Sequence, residues 1–117
     1  MAKLKPIPTL REKKRYLVFE VISSKKFDID DIEKEVKQSL MALVGQLGCA
    51  KANIKVLKDK FDRERQRGII RLNHNQFEEL KASFTLIKSI NNVDVIVKSV
   101  GMSGILKKCE NKYMKDN

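Results

Sequence analysis

The sequence predicts an α+β fold in two layers, with two helices on one face of a four-stranded antiparallel sheet and a third helix closing the chain. Three observations predict it. The chain has 117 residues, enough for one domain at roughly 100 to 200 residues per domain. Hydrophobic residues make up 42%, so a core is available, but with no Trp, five Phe and two Tyr that core must be largely aliphatic. The apolar period switches between two and about 3.6 along the chain, in the order β-α-β-β-α-β-α.

Residues 1–14 read as a basic arm, because Pro6, Pro8 and a run of cations lack the apolar surface to fold alone. The domain occupies 15–117. Residues 15–22 (RYLVFEVI) are β-branched and aromatic, and apolar on both alternating faces except at Glu20, as in a central strand. Ile29, Ile32, Val36, Leu40, Leu43 and Leu47 then recur at spacings of three and four, which predicts a long amphipathic helix with Asp28 as N-cap and Gly48 as stop. Residues 54–57 and 68–72 read as strands joined by a charged hairpin loop. Asn75 followed by Glu78 is a capping signal, and Phe77, Leu80, Phe84 and Ile87 give a second helix. Asn91-Asn92 turns the chain into a strand over 93–98. Ile105, Leu106, Cys109 and Tyr113 predict a closing helix at about 103–115.

Two right-handed split β-α-β units in this order make a ferredoxin-like sandwich, also the topology of the RNA-recognition motif, with the first and third strands central. The first strand is apolar on both sides, so the closing helix or a partner subunit must cover part of the second face. Glu20 and Arg71 fall on that face, on adjacent central strands.

Lys and Arg number 25 against 15 Asp and Glu, a formal charge of +10, which favours a polyanionic partner. The excess is local: residues 1–15 carry six cations and one acid, 51–71 carry eight and three, and 28–40 reverse the sign. The longest apolar runs, 16–22 and 40–44, fall far short of the roughly 18 residues that span a bilayer. No secretory signal is visible, and a cytoplasmic protein without membrane association is expected. Cys49 and Cys109 have no CxxC spacing or neighbouring His, and read as packed thiols. His74 is the single histidine, with no nucleophile or acid beside it, so no catalytic residue is assigned. Asp28, Asp30 and Asp31 read as first-turn carboxylates facing the helix dipole, so no metal site is assigned.

Nucleic-acid binding has the firmer support. Residues 67–74 (RGIIRLNH) open like the third-strand signature of an RNA-recognition motif, but aliphatic or polar residues replace its stacking aromatics, so reading of single-stranded bases through the sheet is not expected. Contacts to phosphates are therefore expected, from Arg11, Lys13, Lys14 and Arg15, from Arg63, Arg65 and Arg67, and from Lys107 and Lys108. In the first helix Met41 and Val44 project beside the core stripe. With Leu47 they form a candidate protein interface, extra core contact being the alternative.

Four strings, at 10–21 (LREKKRYLVFEV), 45–50 (GQLGCA), 67–71 (RGIIR) and 100–108 (VGMSGILKK), together resemble the archaeal ribonuclease P protein component 2, or Pop5, family. Ile105 stands where many relatives carry Thr, and the hairpin lacks their Gly-containing turn. The resemblance implies a protein subunit of ribonuclease P, an endoribonuclease that removes the 5′ leader of precursor tRNA. It implies that the RNA subunit performs the chemistry with its own Mg²⁺, no cofactor being held by this chain. It also implies a barrel-fold protein partner, contact with precursor tRNA in the complex and self-association there, and adds Arg71 and Ser103 to the RNA-contacting set. The alternative function is a small regulatory or assembly domain that binds only protein or a ligand, which copurification of nucleic acid would distinguish.

Overall fold

The computed structural model describes residues 13–114. Its elements are β1 (Lys14–Ser23), α1 (Ile29–Ala52), β2 (Lys55–Val56), β3 (Arg67–Asn73), α2 (Phe77–Leu86), β4 (Ser89–Ile90), β5 (Val93–Ser103) and α3 (Leu106–Cys109). A single wide helical turn, Glu110–Met114, follows α3. The strands form one antiparallel sheet in the order β2-β3-β1-β5-β4. The basic arm up to residue 12, Arg11 included, lies outside the described residues.

The expected sandwich is present with five strands instead of four. The added strand, β4, is only two residues long and pairs Ser89 with Asp94 and Ile90 with Val93. Asn91 and Asn92 between them both take positive φ, 51° and 67°, a pair of left-handed residues that matches the twist of a two-residue hairpin. Two residues carry no readable alternation, so the sequence shows the turn and hides the strand.

Alternation along β1 sorts its side chains. Leu17, Phe19 and Val21 join Ile70, Leu72, Val95 and Val97 beneath Ile32 and Val36 of α1 and Leu80 and Phe84 of α2. On the opposite face Val18 and Ile69 are fully buried under Cys109, with Leu106, Tyr113 and Met114 around them. The closing segment therefore covers the second face, which explains why β1 is apolar on both sides. Gly101 lies under the Tyr113 ring, where an added Cβ would fall 2.1 Å from a ring carbon. Gly68 makes room in the same way for Phe19 on the helix side.

Two expectations about α1 are corrected. Gly48 does not stop the helix; it continues to Ala52 and ends at Asn53, which takes the left-handed conformation. The interruption falls instead at Gly45, whose φ of 72° breaks the helical path. Leu43 and Leu47 are not core residues: they are 43% and 81% exposed. The sheet and the 10-residue α2 bury α1 through Leu40; the stretch from Met41 to Lys51 then stands largely exposed, and the helix returns to the protein only at its end, where Ala52 is buried and the Lys51 carbonyl accepts from Asn73. Asp28 occupies the N-cap position but makes no side-chain cap bond, because its carboxylate accepts from Arg63 Nε at 3.1 Å.

Candidate nucleic-acid interface

The structure divides the expected cations into two groups by what surrounds them. The hairpin group is internally neutralised. Arg63 pairs with Asp28, Arg65 with Asp62 at 3.6 Å, and Arg67 with Glu20 at 3.2 Å. Lys98 approaches the same Glu20 from β5 at 3.4 Å. Arg65 and Arg67 also donate to the carbonyl oxygens of Met114 and Tyr113, both at 2.9 Å, so these two arginines hold the closing segment onto the sheet. Lys60 adds a 2.6 Å ion pair to Glu110 beside them. That bond raises the Lys60 pKa above its ordinary value.

The hairpin keeps its shape through Gln66, a residue that sequence reasoning missed. It takes a positive φ of 55° and is nearly buried. Its amide oxygen accepts from the Phe27 N–H at 2.8 Å, and its amide nitrogen donates to the carbonyl oxygens of Arg63 and Phe27. The side chain thus satisfies the turn that a glycine would otherwise make, and nothing in local spacing marks it.

The second group gathers at the other end of the same sheet face, four residues along β3 and so about 13 Å from Arg67. There Arg71 stands opposite Tyr16, and Tyr16 opposite Ser103. Lys55 of β2 lies on the far side of Arg71. Lys14 Nζ donates to Asn73 Oδ1 at 2.6 Å, and the Asn73 amide in turn donates to the Lys51 carbonyl, which fixes Lys14 at the strand end. Arg15 starts from the other face of β1, opposite Leu72, and its guanidinium lies over Gly104, where an added Cβ would come within 2.8 Å of its Nη1. Ser103 Oγ accepts from the Ile105 N–H, so the serine hydroxyl shapes the turn into α3, and exposed Lys107 and Lys108 follow directly. None of Lys14, Arg15, Arg71, Lys107 and Lys108 pairs with a carboxylate among the described residues. Lys13 is exposed next to this end, its carbonyl accepting from the His74 N–H.

Unpaired cations side by side repel one another and attract phosphate, whereas cations already matched to carboxylates gain little from it. Of the three expected clusters, the structure therefore sets Lys14 on the face of Arg71 and Ser103, with Arg15 at the same end of β1 on its other face and Lys107 and Lys108 just beyond Ser103, and sets the hairpin arginines apart. Sequence reasoning missed Tyr16 and Lys55 as members of the face, since only strand register aligns them with Arg71.

Away from this face, Met41 and Leu47 are 44% and 81% exposed on the later part of α1, while Val44 is half-buried against Gly48. A mainly apolar hollow of about 220 Å³ opens beside them, lined by Leu40, Met41, Cys49 and Ile54 among others. Both cysteines are free thiols, and burial pushes the Cys109 pKa up. Among the described residues no group of three or more His, Cys, Asp or Glu is placed to share a metal ion, and no helix is long and apolar enough to cross a membrane.

The model of the Rpp14/Pop5 family matches residues 15–114. The chain belongs to that family. It is 39% identical over 107 residues to a protein of Pyrococcus furiosus named ribonuclease P protein component 2, covering 92% of this chain and 88% of the relative. A protein of the same name from Methanosarcina acetivorans is 36% identical over 110 residues, covering 94% and 80%. The fold resembles a chain in the cryo-EM structure of yeast ribonuclease MRP, with a TM-score of 0.62 at 12% identity over 80% of this chain and 76% of that one. All secondary-structure elements of this Rpp14/Pop5 chain from α1 to α3 lie within the matched span, as do both groups of described cations other than Lys13 and Lys14.

Proposed function

We propose that this chain is a protein subunit of ribonuclease P that supports the catalytic RNA in removing the 5′ leader of precursor tRNA. The observation that carries the reading is the presence of Lys14, Arg15, Arg71, Lys107 and Lys108 without carboxylate partners among the described residues, Lys14 and Arg71 on one face of the sheet and Arg15 at the same end of β1, in a chain whose relatives bear the ribonuclease P name. A folded RNA that binds Mg²⁺ for phosphodiester hydrolysis crowds phosphates together, and fixed cations offset that repulsion without entering the reaction. Arg11 and Lys13, which precede β1 in the sequence, add to the cations offered to the RNA. The chemistry stays with the RNA and its metal ions. Met41, Val44 and Leu47 on the later part of α1 are the contact for the barrel-fold subunit, since an exposed apolar stretch beside an apolar hollow is buried only by another protein.

Reconstitution with the cognate RNA and the barrel-fold subunit tests this. The complete set should cleave precursor tRNA at the 5′ site at lower Mg²⁺ than the RNA alone. Alanine at Lys14 and Arg15 should raise the Mg²⁺ requirement and be partly rescued by added Mg²⁺, and His74→Ala should change the rate little. Cleavage by the RNA-free chain, or a loss of several orders of magnitude on His74→Ala with the fold intact, would overturn the non-catalytic assignment.

A further inference from the structure

Lys55, Arg71, Tyr16 and Ser103 form one row, directly opposite one another across β2, β3, β1 and β5. At about 4.8 Å per strand the row is about 15 Å wide. The next residues of this face toward the sheet centre, Val18 and Ile69, are sealed beneath Cys109. The row is therefore one of two open parts of this face, the other being at the far end of β1 and β5, where Ile22 and Ile96 are exposed. On the equivalent face related sandwiches stack unpaired bases, using side chains of their first and third strands. Two members of the row fit that use. Tyr16 is half-buried and packs against the Val18 cluster. Arg71 is also half-buried, and its Nε is shielded from water with no hydrogen-bond partner. A donor withdrawn from water and left unpaired is costly, and an anionic acceptor relieves that cost more fully than a neutral one.

Resting on the RNA-binding reading above, we propose that Tyr16 and Arg71 form a binding site for one unpaired nucleotide of the RNA. The base lies against the Tyr16 ring, and Arg71 takes the adjoining phosphate. Lys14, anchored by Asn73, and Lys55 flank the site and guide the backbone on either side. Ser103, the neighbour of Tyr16 on β5, is small, so no bulky side chain of that strand stands directly opposite the ring. A duplex can meet the cations, but its stacked bases offer Tyr16 no free face, so the site selects single-stranded RNA where the surrounding lysines do not.

The test measures binding of the full chain to a 12-nucleotide single-stranded RNA and to a 12-base-pair RNA duplex, lengths of about one helical turn, at one salt concentration. Tyr16→Leu should weaken single-strand binding by about fivefold to a hundredfold, as loss of one stacked base implies, and leave duplex binding within about twofold. Tyr16→Phe should keep wild-type affinity for both. Equal losses on the two probes, or none on either, would refute the nucleotide site while leaving RNA binding intact. Failure of the wild type to bind either probe would instead defeat the underlying RNA-binding reading. Should Tyr16→Leu not fold, photocrosslinking of a 4-thiouridine single strand to the wild-type chain decides the matter. Crosslinks at Tyr16 support the site, and crosslinks confined to α3 or the hairpin refute it.

Discussion

Lys107 and Lys108 together with Arg63 provide a direct test of how ion pairing in the free protein governs RNA contact. Both lysines are exposed and have no carboxylate partner among the described residues, whereas Arg63 is matched to Asp28 at 3.1 Å. Each phosphate neutralised contributes about 0.7 to 0.9 to the logarithmic salt slope of binding. Replacing both lysines by Ala should therefore make the slope shallower by about 1.4 to 1.8 if each meets one phosphate. Over a rise from about 50 to 200 mM salt, that narrows the loss of affinity by about tenfold. Arg63→Ala removes a cation but releases the Asp28 carboxylate it had neutralised, so its slope should stay close to that of the wild type. Fluorescence anisotropy of labelled cognate RNA, titrated at four or more salt concentrations of about 50 to 300 mM, reads all three slopes. Equal slope changes for the lysine pair and for Arg63→Ala, or a larger change for Arg63→Ala, would refute the division of the cations into used and unused groups.

Gly101→Ala should push the Tyr113 ring off the sheet and lose the Arg67 bond behind it, costing about 1 to 3 kcal/mol as overpacking does. Melting should fall by about 4 to 20 °C, and an unchanged Tm would show that the closing segment is not packed as described. Leu47→Asp should leave the isolated chain's melting within the small range of surface substitutions while weakening capture of the barrel-fold subunit by calorimetry; unaltered affinity would remove the later part of α1 as its contact. The ion pair from Lys60 to Glu110 raises the lysine's pKa above 10.5 in the folded state, so its contribution is complete below that value and disappears as the pH rises through the folded pKa. The Tm difference between wild type and Lys60→Met should accordingly close at high pH, and a constant difference from neutral pH to pH of about 12 would show that packing, not charge, makes it.

The order of elements was legible in the sequence because helices and strands impose short periods on residues close together in the chain. The apolar run around β1, the three- and four-residue spacing of Ile32, Val36 and Leu40, and the Asn91-Asn92 turn are of this kind. So was the concentration of cations before β1, in the hairpin and in α3. The two-residue β4 left no period to read, and the stretch over which α1 stands exposed depends on the length of α2 and the sheet, which lie elsewhere in the chain. Whether a given cation is available was decided only by the tertiary structure. Arg63 and Asp28 are 35 residues apart, and Arg67 and Glu20 are 47 apart, yet they meet as ion pairs. Arg71, in the same strand as Arg67, meets Tyr16 and Lys55 instead. Strand register makes that difference, because a slip of one residue would turn each side chain to the opposite face and exchange every partner across the sheet.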